Sequence, residues 1–536
     1  VGKKNQFIKT IGIGTIAALS NAILVVAEET PHFSSNLSNL NFKSPVIAQS
    51  TGSTQDIIKP AQTPISNTEK LNPSANPLSF PTQADEVEVD TQKPITLKQA
   101  IELSLKNNKD VEAARIQVEQ SEAALTEARA AIFPTLDLTS GLSYGNSAFL
   151  DSQIEQSIES RTEDNLSANP LLSEEEARQA AENSFTNSSS SSFNFNSGVS
   201  LSYNIYNGGR RGAAIRASQK QLRSSELDLE TVVEQIRFET ARDYYNLQNS
   251  DAQVEIEKAS VQDAQQTLKD AQLLEKAGLG TRFDVLRAEV ELAQAQQRLS
   301  TAIANQNISR RQLAETLSVS HSTELSTADT IEEAGTWELS LSESIVQAFK
   351  NRAELEQLLI QREIGAEQRT IALSNVRPSV SADASYNLNE DFEDDFDISD
   401  QYSVGLNLNW RLFDGGAARA AAKQSEKDIE IAETQFANQR NQIRFAVEQA
   451  FYGLESNQKN IGTATKEVEL AEESLRLARL RFQAGVGTQT DVIDAQTQLT
   501  TARGNLLSSI IDYNQSYVDL QRQVSNTPDN GLQDLP

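Results

Sequence analysis

Apolar residues along the chain follow two rhythms that alternate, and each change of rhythm falls at Pro or Gly. Thr96 to Ile132 is rich in Ala, Glu, Gln and Arg with a helical period, and it stops at Pro134, which cannot continue a helix. The period then becomes two. Leu136, Leu138, Leu142 and Tyr144 alternate with polar residues, as do Phe193, Phe195, Val199, Leu201, Tyr203 and Ile205. These predict strands over 135–145 and 193–206. After Gly208-Gly209 the helical period returns in heptads: Ile215, Leu222, Leu229, Ile236, then Leu247, Val254, Val261 and Leu268. The step from 236 to 247 is a four-residue stutter, which locally unwinds a coiled coil. The pattern predicts a long helix over 210–275 and, past a Gly-rich turn, a shorter one over 283–317.

The whole series then repeats. Asn207-Gly208-Gly209-Arg210 returns 207 residues later as Asp414-Gly415-Gly416-Ala417. At the same offset Ala277-Gly278-Leu279-Gly280-Thr281 returns as Ala484-Gly485-Val486-Gly487-Thr488. Upstream, Ile95 through Pro134 returns as Leu339 through Pro378 at an offset of 244. The first copy therefore carries 37 extra residues between Pro134 and Gly208. The halves are 94–338 and 339–524. The second predicts a helix from Leu341 to Val376, strands over 379–389 and 401–413, a long helix over 417–484 and a shorter one over 490–522.

Lengths suggest how the helices sit. A helix over 210–275 spans about 100 Å at ~1.5 Å per residue, and each shorter helix of that half spans roughly 55 Å. Two short helices end to end match one long helix. Each half reads as a rod of two columns, one interrupted near its middle. The interruption holds segment 318–338 in the first half and the C-terminal tail in the second.

Outside the halves the composition changes. Lys3, Lys4 and Lys9 precede an uncharged, mostly apolar run from Ile11 to Ala27, which predicts a signal peptide over 1–27 with an alternative boundary at 48. The competing reading is a single membrane anchor, for which the run is short. Residues 28–93 are rich in Ser, Thr, Asn, Gln and Pro and read as a disordered linker, as does the tail 525–536. There is no Cys, which excludes disulfides and thiolate metal sites, and His32 and His321 are the two histidines. No metal, cofactor or catalytic set is predicted. A net charge of −28 argues against nucleic acid as a partner. The mean hydropathy of −0.46 suits long helices wetted on more than one side.

Four amphipathic strands cannot close a membrane barrel alone, because bare strand edges are not viable in lipid and about eight strands are the usual minimum. The chain must share a barrel with copies of itself, unless the strands form a soluble β-sandwich instead. The long polar segments 146–192 and 389–400 suit extracellular loops.

This organisation resembles the TolC family of outer-membrane efflux and secretion channels. The resemblance rests on Thr96-Leu97-x-x-Ala100, on Pro134 and Pro378, on Gly208-Gly209 and Gly415-Gly416, and on the turn Arg481–Thr488 followed by Asp491 to Ala495. It implies a mainly α fold with membrane β-structure: a homotrimer whose 12-strand β-barrel in outer-membrane lipid continues as a 12-helix α-barrel across the periplasm. The implied partners are a periplasmic adaptor and an inner-membrane ABC or RND transporter, in a tripartite efflux pump or type I secretion system. A periplasmic coiled-coil adaptor or structural protein is the alternative reading. The turns Gly278, Leu279, Gly280, Thr281 and Gly485, Val486, Gly487, Thr488 are candidate docking tips, although Gly there also serves the turn itself. Asp491 and Asp494 share a helix face, and the family's closed entrance carries a matching aspartate pair, so they are candidate gate residues. Helix-capping by the same carboxylates is the competing role.

Overall fold

The computed structural model describes residues 71–72, 76, 78, 82, 91–146, 148–185, 191–320, 323–391 and 398–525. All lie within the unit Ser53–Pro536; residues 1–52 form a separate unit outside the described part. The predicted signal peptide, most of the predicted linker and all of the tail beyond Ser525 therefore lie outside the described residues.

The first half runs β1 (Thr91–Ile95), α1 (Leu97–Asn107), α2 (Lys109–Ala130), β2 (Thr135–Asn146), α3 (Ala148–Ala168), α4 (Glu174–Asn183), β3 (Ser191–Asn207), α5 (Arg210–Lys276), α6 (Arg282–Thr316) and β4 (Thr323–Thr327). The second runs α7 (Leu341–Asn351), α8 (Ala353–Ser374), β5 (Ser379–Asp391), β6 (Ser399–Asn409), α9 (Ala417–Gln483) and α10 (Gln489–Val524). The two long helices, α5 and α9, are 67 residues each, about 100 Å. Each carries a shorter helix along one stretch and a strand-bound helix along the other: α6 and α2 on α5, α10 and α8 on α9. Helix α8 also packs on α5, which joins the halves.

The heptad positions do the packing. Ile236, Leu247, Val254 and Val261 are buried on α5; Ile443, Leu454, Ile461, Val468 and Leu475 are buried on α9. Toward the strands the seam thins to small residues. Ser121 and Ser225 meet Oγ to Oγ at 2.8 Å between α2 and α5. Gly365 on α8 lies so close to α9 that a Cβ there would sit 2.9 Å from Ile429 Cγ1. Close approach of this kind leaves surface charges to bridge the helices, as Arg216 does with both oxygens of Glu367, at 2.9 and 2.7 Å.

Several features differ from the sequence reading. The single helices expected over Thr96–Ile132 and Leu341–Val376 are each broken, at Asn108 and Arg352, because the chain turns there from the rod's middle into its column. Asn108 ends one helix and caps the next, its Oδ1 accepting from Asp110 N at 2.8 Å. The segment 146–192, expected as loop, contains helices α3 and α4. A Ser173–Glu176 capping box starts α4, and Arg178 ties the pair together by contacting Glu155 and Glu182, each at 2.9 Å. Finally, the predicted linker boundary at 93 shifts. Thr91–Lys93 belong to β1, which pairs in parallel with β4, and Leu71 is fully buried against their core.

Strands β2-β3-β5-β6 form one antiparallel sheet in that order. Its register stacks apolar residues on one face: Leu138 opposite Val199, Val199 opposite Tyr386, Tyr386 opposite Tyr402. The other face carries Asp137, Ser200, Ser385 and Ser403 in one row. The ladder of β6 ends at Asn409 where its partner β5 begins at Ser379, four residues short of the predicted end at 413. Pro134 and Pro378 stand immediately before β2 and β5.

Candidate functional site

The chain offers two candidate sites, one at each end of the rods. At the sheet end, large apolar side chains point away from protein. Leu136, Leu138, Tyr402, Val404, Leu406 and Leu408 are each more than 60% exposed. Such a face is costly in water, and its rows alternate with a polar face along every strand, as lipid on one side and a wet lumen on the other require. Aromatic residues gather near both ends of the sheet, Tyr144 and Phe193 at one and Phe133, Tyr206, Trp410 and Phe413 at the other, while Tyr386 and Tyr402 pair at mid-strand. On the polar face Asp383 accepts from Asn407 Nδ2 at 2.7 Å, Ser202 Oγ at 2.9 Å and Ser381 Oγ at 3.0 Å. Strands β2 and β6 are the outer strands of this sheet.

The junctions that turn strand into long helix use paired glycines. Gly208 and Gly209 have φ of 65° and 91°; Gly415 and Gly416 have 71° and 92°. L-residues disfavour this region, so glycine is needed at the turn. Asn207 and Asp414 add the same side-chain cap: Asn207 Oδ1 accepts from Arg211 N, and Asp414 accepts from Gly416 N and Ala418 N. Those backbone bonds hold the Asp414 carboxyl below the usual range.

At the far end, the two tip turns share one geometry. Gly278 and Gly485 have φ of 74° and 73°. Leu279 N and Gly280 N both donate to Leu274 O; Val486 N and Gly487 N both donate to Arg481 O. A Cβ on Gly280 or Gly487 would press to 3.1 or 3.0 Å on the preceding helix. Thr281 and Thr488 then cap α6 and α10 in capping boxes with Asp284 and Asp491. Leu279 and Val486 project into solvent, 79% and 71% exposed. Sequence reading missed their neighbours: Phe283, Leu286 and Val290 continue an exposed apolar strip up α6. The spacing 279, 283, 286, 290 was the available signal.

The two candidate gate residues have different surroundings. The Asp491 carboxyl accepts from Thr488 N at 2.9 Å, and this backbone bond and the Thr488 hydroxyl hold its pKa below the usual range. Asp494 stands one turn on, its Oδ1 3.9 Å from Arg287 Nη2. Arg287 Nη1 also donates to Thr490 Oγ1 at 2.5 Å. Arg287 and Asp494 are repeat-equivalent positions, 207 residues apart. Gln489 is buried among them, with neither amide atom partnered among the described residues. Nearby, Arg479 Nη2 meets Asp263 Oδ1 at 2.8 Å, and Thr267 Oγ1 donates to Gln496 Oε1 at 3.3 Å. These contacts hold the two hairpins side by side at the tip. No group of residues suited to hold a metal ion occurs among the described residues. No described helix is long and apolar enough to cross a membrane.

Residues 100–318 and 344–524 match the family model described as "Outer membrane efflux protein". The chain belongs to that family. Its two matched blocks are the two halves of the duplication. Among curated relatives, the outer membrane efflux protein BepC of Brucella suis is 30% identical over 191 residues, 34% of this chain and 40% of BepC. The pyoverdine export outer membrane protein OpmQ of Pseudomonas aeruginosa is 22% identical over 412 residues, 76% of this chain and 80% of OpmQ. The chain thus aligns with less than half of BepC's length. Among solved structures, a membrane protein from Pseudomonas aeruginosa shares the fold with a TM-score of 0.66 at 16% identity, covering 80% of this chain and 93% of that one.

Proposed function

We propose that this chain is the passive outer-membrane exit duct of a tripartite efflux pump or type I secretion system. Three copies close a 12-strand barrel and continue it as a 12-helix tunnel across the periplasm. The observation that carries this reading is the sheet β2-β3-β5-β6, with an exposed apolar face, a polar face and two open outer edges. Four strands need partners to close, and three copies give a barrel within the known size range. The family membership and the export named for OpmQ support the same reading. A periplasmic adaptor and an inner-membrane transporter supply contact and energy. The duct needs no cofactor and performs no chemistry. The direct test is native mass measurement in detergent followed by single-channel recording in planar bilayers. Trimers with discrete conductance are expected; a folded monomer without conductance would sink the proposal.

The tip turns dock the adaptor through Leu279 and Val486, whose exposure leaves them nothing else to pack on within the chain. Leu279→Glu with Val486→Glu is expected to abolish export while trimers persist, because neither side chain supports the fold. Normal export by such trimers would remove the docking role. Asp491 and Asp494 form the gate ring at the tunnel entrance, with Arg287 partly offsetting Asp494.

A further inference from the structure

Where the sheet meets the rods there is a pocket of about 420 Å³. It is lined by Asn204 and Asn207 of β3, Arg210 at the start of α5, Arg377 between α8 and β5, and Asn409 and Arg411 at and just beyond the end of β6, among others. Register places it on the polar face of the sheet. Asn204 stands opposite Ser381 and Asn207 opposite Ser379, and the bulge between them brings both asparagines to that face. Asn409 flanks Ser379 from the other side.

Three guanidinium groups around one pocket stand out in this chain, where Asp and Glu outnumber Lys and Arg by 75 to 47. Along the rods arginines find carboxylates, as Arg216 does in Glu367, Arg362 in Glu433 and Arg369 in Glu426. Among the described residues none of Arg210, Arg377 and Arg411 forms an ion pair. Arg377 Nη1 donates to Gly208 O at 3.0 Å, which fixes that guanidinium beside the turn. The side chains of Arg210 and Arg411 make no hydrogen bond among the described residues. The carboxylate of Asp414 is engaged by Gly416 N and Ala418 N, and the charge of Arg411 adds to the field that keeps it ionised.

The turn itself does not call for these arginines. At the 207 offset Asn204, Asn207 and Arg210 become Arg411, Asp414 and Ala417, and at the 244 offset Arg377 becomes Phe133. Both junctions make the same glycine turn. The second does so with an acid as cap and no arginine at the helix start. The first leaves the positive end of the 67-residue helix α5 with the neutral cap Asn207 and sets arginines around it. Guanidinium forks engage oxygens in pairs, so three of them exceed the two oxygens of a carboxylate, whereas a tetrahedral oxyanion presents up to four.

We propose that this pocket binds the phosphate or sulfate group of anionic cargo in transit. The proposal rests on the exit-duct reading, which turns the polar face of the sheet toward the lumen. Three copies then set three such pockets in one ring, at the level where barrel becomes tunnel. The net charge of −28 per chain repels anions along most of the duct, and a basic ring gives them a resting point. A phospholipid headgroup carries the same chemistry, but lipid lies against the opposite, apolar face.

The full-length protein in detergent is titrated with inorganic phosphate against chloride at constant ionic strength, with binding read from phosphorus NMR line broadening. This readout needs no conducting channel, so its failure is distinct from failure of the exit-duct reading. Arg210→Gln with Arg411→Gln is expected to weaken phosphate binding at least tenfold; Arg377 is kept because it supports the Gly208 turn. Arg129→Gln with Arg419→Gln removes the same charge from exposed residues outside the pocket and is expected to weaken it less than twofold. Equal weakening by the two pairs would overturn the pocket in favour of a general field, as would an unaltered protein that binds no phosphate. A copurifying phospholipid signal that the pocket pair removes would assign the site to a headgroup and overturn the lumenal placement. In planar bilayers phosphate is expected to lower single-channel conductance, with the half-blocking concentration raised at least tenfold by the pocket pair. Block that survives in that variant would overturn the role in transit.

Discussion

The first and second halves break their helical columns at the same repeat position and secure the break by different chemistry. In the first half the break is Asn108, a neutral side chain that caps α2 and donates Nδ2–H to Thr316 O at 3.0 Å. In the second it is Arg352, whose Nη2 meets Glu354 Oε1 at 2.6 Å and whose Nη1 donates to Gln523 Oε1 at 2.9 Å. Arg522 Nη2 shares the same Glu354 oxygen at 3.1 Å. One geometric need thus has a neutral and an ionic solution within one chain. The neutral one depends on a cap, and the ionic one depends on one carboxylate holding two buried guanidinium groups.

The difference predicts unequal sensitivity. Burial pushes the Glu354 carboxyl up, but the hydrogen bond and charge of Arg352, with Arg522 behind, outweigh it and bring the pKa to about 2. A carboxyl depressed in the folded state contributes stability that is complete above its unfolded pKa of about 4.5 and is lost as pH falls toward 2. Glu354→Gln is expected to destabilise the fold by about 3 kcal/mol, since it leaves two buried cations unpaired. Asn108→Ala is expected to cost about 1 kcal/mol, the usual worth of a cap. Thermal melts of the assembled protein at pH 7 and pH 3 check both. The Glu354→Gln penalty shrinks at pH 3 and the Asn108→Ala penalty does not. Equal penalties at both pH values would mean that the carboxylate is not what secures the second break.

A second contrast sits at the strand-to-helix junctions. Gly208 and Gly415 share a left-handed φ, so alanine at either costs about 1 to 2 kcal/mol in backbone strain. At Gly208 a Cβ would also lie 2.8 Å from Arg377 Cβ and 3.0 Å from Ser374 O, whereas at Gly415 nothing lies within 4 Å. Gly208→Ala is therefore expected to destabilise more than Gly415→Ala. The melting temperatures of the two purified variants decide it, and a reversed order would show that the surroundings of Gly208 yield freely.

What the sequence made legible follows the same division. Periods of two and seven are physical consequences of strands and packed helices, so the sheet and both long helices could be placed from residue spacing. The tips could be placed as well, because Gly278 and Gly485 mark a turn by composition. The breaks at Asn108 and Arg352 could not, since helical periodicity continues across them and only three-dimensional routing requires the turn. Helices α3 and α4 were hidden for another reason: their segment is polar on most faces, which reads as loop unless the Ser173–Glu176 box is given weight. Strand β1 and the burial of Leu71 depend on long-range partners, β4 and the core around Tyr244, that no local pattern names. At the candidate gate the sequence placed Asp491 and Asp494 on one face. It offered the equivalence of Arg287 and Asp494 but not their proximity.

That proximity gives the mildest contrast. The carboxylates of Asp284 and Asp491 do one job in both halves, capping a helix from the third position. Arg287 and Asp494 carry opposite charge at one repeat position and face each other at 3.9 Å. Asp494 is exposed and Arg287 only half-buried, so at 3.9 Å their attraction is largely screened and contributes little to stability. Its effect lies on the local field instead. If Asp494 lines the proposed entrance, Arg287 cancels part of the negative charge it lends there. Arg287→Gln is therefore expected to raise the cation selectivity of the channel modestly, and Asp494→Ala to lower it. Both changes should grow at low salt, where the screening length is longer. Asp491→Ala is expected to act differently, loosening the start of α10 because Thr488 N loses its acceptor. Single-channel reversal potentials at two salt concentrations separate the outcomes. If Arg287→Gln leaves selectivity unchanged at both, Asp494 lies outside the conduction path and the pair is only a strut between the two hairpins.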